Sequence, residues 1–155
     1  MQNGTLYYHF SSKEEIFNFL VEEGMKLLKN SIEIKTSKLS DNIEKLKAIM
    51  LIEIKVIVKY ENIISIILSQ IWGNESRNLV CRKYVIEYID IIKNVICKGI
   101  ENREIIDCNP ELLSYNIFNI TSSTLIYKLN NNTNINIHEL YSEFVNTIIY
   151  GLKKK

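Results

Sequence analysis

Few side chains in this sequence are spaced for covalent chemistry, and the ones that cluster are suited to holding a partner. His9 and His138 are the only histidines and stand near opposite ends of the chain. No metal-ligand spacing, phosphate-cradling glycine loop or nucleophile elbow is present. Cys81, Cys97 and Cys108 are odd in number and none is in CxxC spacing. They read as reduced thiols of a cytoplasmic protein, with no disulfide framework or zinc site. Met1-Gln2-Asn3-Gly4 lacks the basic and apolar regions of a signal peptide. The acidic pairs Glu14/Glu15 and Glu22/Glu23 fit solvated helix faces, and His138 fits a surface position at a helix start. The expectation is a non-enzyme with no cofactor and no metal.

The exception is the opening run Asn3-Gly4-Thr5-Leu6-Tyr7-Tyr8-His9-Phe10-Ser11-Ser12-Lys13-Glu14-Glu15-Ile16-Phe17. Leu6 and Phe10 are four apart and can anchor one helical face, which leaves Tyr7, Tyr8 and His9 to project elsewhere. Phenol hydroxyls and the Lys13 ammonium are good phosphate donors, and backbone N–H groups at a helix start also favour phosphate. Taken alone, such an aromatic cluster reads more readily as packing.

The complete run closely resembles the recognition helix and following helix of the TetR/AcrR family of transcription regulators. There a short Gly-Thr-Leu-Tyr-aromatic helix ending in Phe is followed by Ser-Lys-Glu opening the next helix. The resemblance implies that Asn3, Gly4, Thr5 and Tyr7 approach bases or nearby backbone, while Tyr8, His9 and Lys13 hold phosphates. It divides the chain into residues 1–12, the end of a helix-turn-helix, and residues 13–155, a helical ligand-binding and dimerisation body. The family places two more helices ahead of this point. DNA is therefore the implied partner if those helices are supplied, and DNA binding by these residues alone is expected to be weak or absent. A looser likeness continues through Ile96–Glu101 and Arg103–Glu111. There the family often carries Gly at the position of Arg103.

Composition and pattern agree with an all-α fold. The chain has 155 residues, 46% hydrophobic and 24% charged, with a net charge of +1. That is enough apolar material for a core. Its overall charge announces neither nucleic acid nor membrane, so any DNA-facing surface must be local. Five glycines and one proline leave room for long helices. No apolar run reaches the length of a membrane span, because Glu53, Lys55, Lys59 and Glu61 break the stretch from Ala48 to Trp72.

Ser12, with Glu15 three residues on, predicts a capping box opening a first helix. Ser40 or Asp41 opens the next, with an apolar stripe of Ile43, Leu46, Met50, Ile54 and Ile57. Residues Ile52 to Lys59 nearly alternate and would suit a strand. The helical period runs into them unbroken, so the reading is helix. Shorter and longer helices are predicted over 62–72, 75–101, 110–129 and 137–150. Gly73-Asn74 and Asn109-Pro110-Glu111 are the boundaries, and Gly151 is a C-terminal cap.

The final helix carries two adjacent apolar stripes, one more than its own domain needs, which points to a homodimer. The candidates for that contact are Leu113, Ile117, Ile120, Tyr141, Phe144, Val145 and Ile148. Met50, Tyr60, Trp72, Tyr84, Tyr88 and Phe118 are large or polar-tipped and are candidates to line a pocket for a small-molecule effector. The resulting expectation is a ligand-responsive repressor. The rival is a helical dimerising or interaction module that does not touch DNA.

Overall fold

The computed structural model describes residues 10–131 and 135–152. Residues Asn3, Gly4, Thr5, Tyr7, Tyr8 and His9 lie outside that range, as do Lys153, Lys154 and Lys155. The described residues form six helices: α1 (Lys13–Thr36), α2 (Asn42–Lys59), α3 (Glu61–Gln70), α4 (Ser76–Glu101), α5 (Pro110–Asn131) and α6 (Ile137–Leu152). No strand occurs among the described residues, and the isoleucine-rich segment is the second half of α2. Tertiary burial overrides β-propensity there, because the helical phase places Ile49, Met50, Ile54 and Ile57 on one covered face.

Local chemistry sets the boundaries. The Ser12 hydroxyl accepts from the Glu15 amide at 3.1 Å. The return half of the expected capping box goes one residue further back, since the Glu15 carboxylate accepts from the Ser11 amide and hydroxyl, both at 2.6 Å. Asp41 caps α2 through the Glu44 amide. The Glu104 carboxylate accepts from the Asn42 amide at 2.9 Å and the Asn42 side-chain nitrogen at 2.7 Å, tying the start of α2 to the turn after α4. Asn109 caps α5 through the amides of Glu111 and Leu112, with Pro110 at the first helical position. Gly151 lies within α6 and does not cap it.

Between α3 and α4 the chain turns tightly at Gly73. The Asn78 amide tucks against this residue to donate to the Gln70 carbonyl and to accept from the Glu75 N–H, and a Cβ at Gly73 would collide with it. After α4, Arg103 adopts a φ of 61°, the left-handed region that suits glycine. This position is where the family resemblance places Gly.

The core lies where α2, α4 and α5 meet, with α1 and α6 packed against α2. Leu46, Ile49, Met50, Ile54, Ile92, Ile96 and Ile117 are fully buried there. The buried phase of α4 is Cys81, Tyr88, Ile89, Ile92 and Ile96. Leu79, apolar but off that phase, is exposed. By contrast, α3 contributes no buried residue. Its C-terminal end is held by polar clamps: Asn78 to Gln70, and the Arg82 guanidinium to the carbonyls of Ile71 and Gly73.

Candidate functional site

Two features of this body could carry a signal: a polar seam inside the core, and the attachment of α1 to the rest. The seam starts from sequence phase. On α2, Glu53 follows Ile49 by four positions and Met50 by three, so the helical period places a carboxylate on the apolar face. It is 6% exposed. From α4 the Tyr88 hydroxyl donates to it at 2.8 Å, and from α5 the Ser122 hydroxyl donates at 3.2 Å. Burial pushes the Glu53 carboxyl up to about 7, and hydrogen bonds from Thr121, Tyr88 and Ser122 pull only part of the way back. Tyr88 is in turn pushed well above the ordinary phenol value, by its own burial and by the neighbouring Glu53 charge.

The α5 side of the seam is built from hydroxyls. Ser114, Thr121 and Thr124 are completely buried. Thr121 donates back to the carbonyls of its own helix, and the Thr124 hydroxyl oxygen has no partner. No cation reaches Glu53 in the described salt bridges. Further along α5, Lys128 is paired with Glu61 and also donates to the Val58 carbonyl, so its charge is committed to the α2–α3 corner.

Of the pocket candidates, Met50, Tyr88 and Phe118 come together around this seam, with the Tyr88 and Phe118 rings edge-on at 6.1 Å. Tyr84 is half-buried further along α4. Tyr60 and Trp72 are exposed at the two ends of α3, Trp72 at 83%. They stand at helix junctions, where no second layer covers them. Open crevices of about 500 Å³ and 200 Å³ lie between α1 and α4 and beside the start of α2, and none of the pocket candidates lines them. Sequence reading missed Glu53 as a site residue and treated it only as an interruption of an apolar run. Its phase against Met50 and Ile54 was the available signal.

α1 is attached by an apolar seam, with Val21 and Ile32 buried and Met25 and Leu28 packed against the core, and by polar contacts beside it. Near its start the Arg77 guanidinium lies 3.8 Å from the centre of the Phe17 ring and 3.6 Å from Glu14. Phe10 packs on Phe19 at 5.1 Å. Midway, Lys29 pairs with Glu87 at 2.6 Å. Lys13 is the first residue of α1 and is exposed to solvent.

Of the expected dimer residues, Ile117 and Ile148 are buried within the subunit, and Leu113, Ile120, Tyr141, Phe144 and Val145 are half-buried along its core. α6 packs on α2 and α5. What α5 leaves outside is a different set: Leu112, Tyr115, Ile126, Tyr127 and Leu129.

Among the described residues the chain is thus a six-helix body with a polar seam among α2, α4 and α5. No protein-family model and no curated protein matches the sequence. Among solved structures, the whole chain superposes on a Clostridium perfringens protein described as a regulator of fatty acid metabolism. The identity is 31%, the TM-score 0.88, and 84% of that chain is covered. The fold is also that of the Bacillus subtilis regulator FadR in complex with stearoyl-CoA, at 21% identity and a TM-score of 0.83, over 96% of this chain and 81% of that one. A Thermobifida fusca regulator of the TetR/AcrR family is similar at 15% identity and a TM-score of 0.76, over 97% of this chain and 80% of that one. The chain belongs to the TetR/AcrR family of transcriptional regulators.

Proposed function

We propose that this protein is a DNA-binding repressor of the cytoplasm that answers to a small-molecule effector seated among α2, α4 and α5. The observation that carries the reading is the likeness to the Clostridium perfringens regulator, which extends over the whole chain at 31% identity. Residues 1–12 form the DNA-facing end, with Asn3, Gly4, Thr5, Tyr7, Tyr8, His9 and Lys13 directed at the duplex. Residues 13–155 sense and dimerise. The effector acts by binding one tilt of α1 better than another, since only a ligand with different affinities for two states can shift their populations. Two copies pair through the outer face of α5, where Leu112, Tyr115, Ile126 and Leu129 remain exposed. The reading includes no catalytic role.

No helix among the described residues is long and apolar enough to cross a membrane. The test is chromatin immunoprecipitation of the protein expressed from its own locus, together with transcript profiling after deletion of the gene. Recovery of a few palindromic sites next to derepressed transcripts is the expected result. Random recovery and unchanged transcripts would favour an interaction module that does not touch DNA.

A further inference from the structure

The seam around Glu53 is an unusual use of core volume. A carboxylate withdrawn from water costs several kcal/mol unless a cation or a full set of donors compensates it. Here its partners are neutral hydroxyls, on Tyr88 and Ser122 with Thr121 beside them. The charged group further along α5, Lys128, is held by Glu61 and the Val58 carbonyl. No charged side chain faces the carboxylate from α4, whose contribution there is Tyr88. A hydrocarbon at position 53 would satisfy the surrounding Met50, Ile54, Ile92 and Phe118 at no electrostatic cost. About one turn on from Thr121, on the buried face of α5, the Thr124 oxygen has no partner. α3 packs on α2 and α4, the helices that carry Glu53 and Tyr88, and is held there chiefly by polar contacts at its two ends, with Leu68 laid against the core.

Resting on the sensing role proposed above, we infer that the effector carries a protonated amine on an apolar body, and that Glu53 is its counter-ion, with Tyr88 and Ser122 orienting the carboxylate. An ammonium supplies the positive charge the seam lacks, and its N–H groups can reach the hydroxyl oxygens of the α5 face. An anionic head would set like charge against Glu53 in a low-dielectric interior.

The test compares four probes of one chain length by isothermal titration calorimetry at a pH of about 7.5: octylamine, octanol, octanoate and octanoyl-coenzyme A. The expected result is binding of octylamine at least about ten-fold tighter than octanol, which corresponds to about 1.4 kcal/mol, with octanoate weakest. Glu53→Gln keeps an acceptor for Tyr88 and removes the charge, so it brings the octylamine-to-octanol affinity ratio down towards one. The wild-type series alone decides the head group if the variant does not fold. Octanoate or octanoyl-coenzyme A binding as tightly as octylamine, or an amine preference that survives Glu53→Gln, overturns the assignment. Binding of none of the four overturns it too, while the chromatin and transcript experiment judges the regulator reading separately.

Discussion

Replacing Glu53 by Gln should stabilise the protein at alkaline pH and flatten its stability profile. In the folded chain the carboxyl is held up to about 7, against an ordinary value of 4.5. The folded state therefore keeps a proton that the unfolded chain releases between those two values. Stability falls as pH rises through that window, and the full penalty is present above about 7. At ~1.4 kcal/mol per pH unit the penalty is about 3 kcal/mol. Gln escapes it and keeps an oxygen for the Tyr88 hydroxyl, but it loses the charge-assisted part of the hydrogen bonds, roughly 1 kcal/mol. The net gain at a pH near 8 is then about 2 kcal/mol, a rise in Tm of roughly 5 °C for a domain of this size. Near pH 5 the two proteins should be close to equal. Urea unfolding followed by circular dichroism at four pH values, at one fixed protein concentration, measures this directly. Parallel stability profiles, or a Gln variant that is less stable at pH 8, would show that Glu53 is adequately compensated in the native core.

Arg103→Gly should raise stability by up to about 1 kcal/mol in chemical denaturation, since it removes a side chain from a left-handed backbone position, partly offset by unfolded-state entropy. Ser12→Ala should lower stability by about 1 kcal/mol and speed amide exchange in the first turn of α1, because the Glu15 N–H loses its acceptor. Arg77→Ala should loosen the same end of α1, with exchange around Phe17 rising several-fold while the core amides of α2 are unaffected. Ile126→Lys, on the exposed face of α5, should leave the melting of the subunit within about 0.5 kcal/mol. It should convert a dimer into a monomer in sedimentation, and a dimer that persists would move the interface elsewhere.

The helical order was legible because its punctuation is chemical. Asp41, Gly73 and the Asn109-Pro110 pair each do at the helix ends what their side chains allow, and the stripe from Ile43 to Ile57 is the buried face of α2. Phase was harder on α4, where apolar residues occur on several faces. Leu79 fits a helical stripe as well as Cys81 does, and only packing against α2 and α5 decides between them. Periodicity shows that α6 has two apolar stripes, and within the subunit they are buried fully only at Ile148 and Ile149. Glu53 was hidden for a different reason. A charge inside an apolar run reads as a solvated face until three helices are seen to close around it.

The way α1 is fastened has a mechanical consequence. From Ile32, its greasy pivot, to Lys13 the helix extends roughly 28 Å at about 1.5 Å per residue. A swing of only ~5° about that pivot carries the far end through more than 2 Å, about the difference between a made and a broken hydrogen bond. Along the way Val21, Met25 and Leu28 lie against the body while the Lys29–Glu87 ion pair and the Arg77 contacts flank them, so such a swing slides an apolar seam by a fraction of a side chain and exchanges polar partners at its edge. The rod behaves as a lever, stiff along its length, whose small rotations are magnified at Lys13.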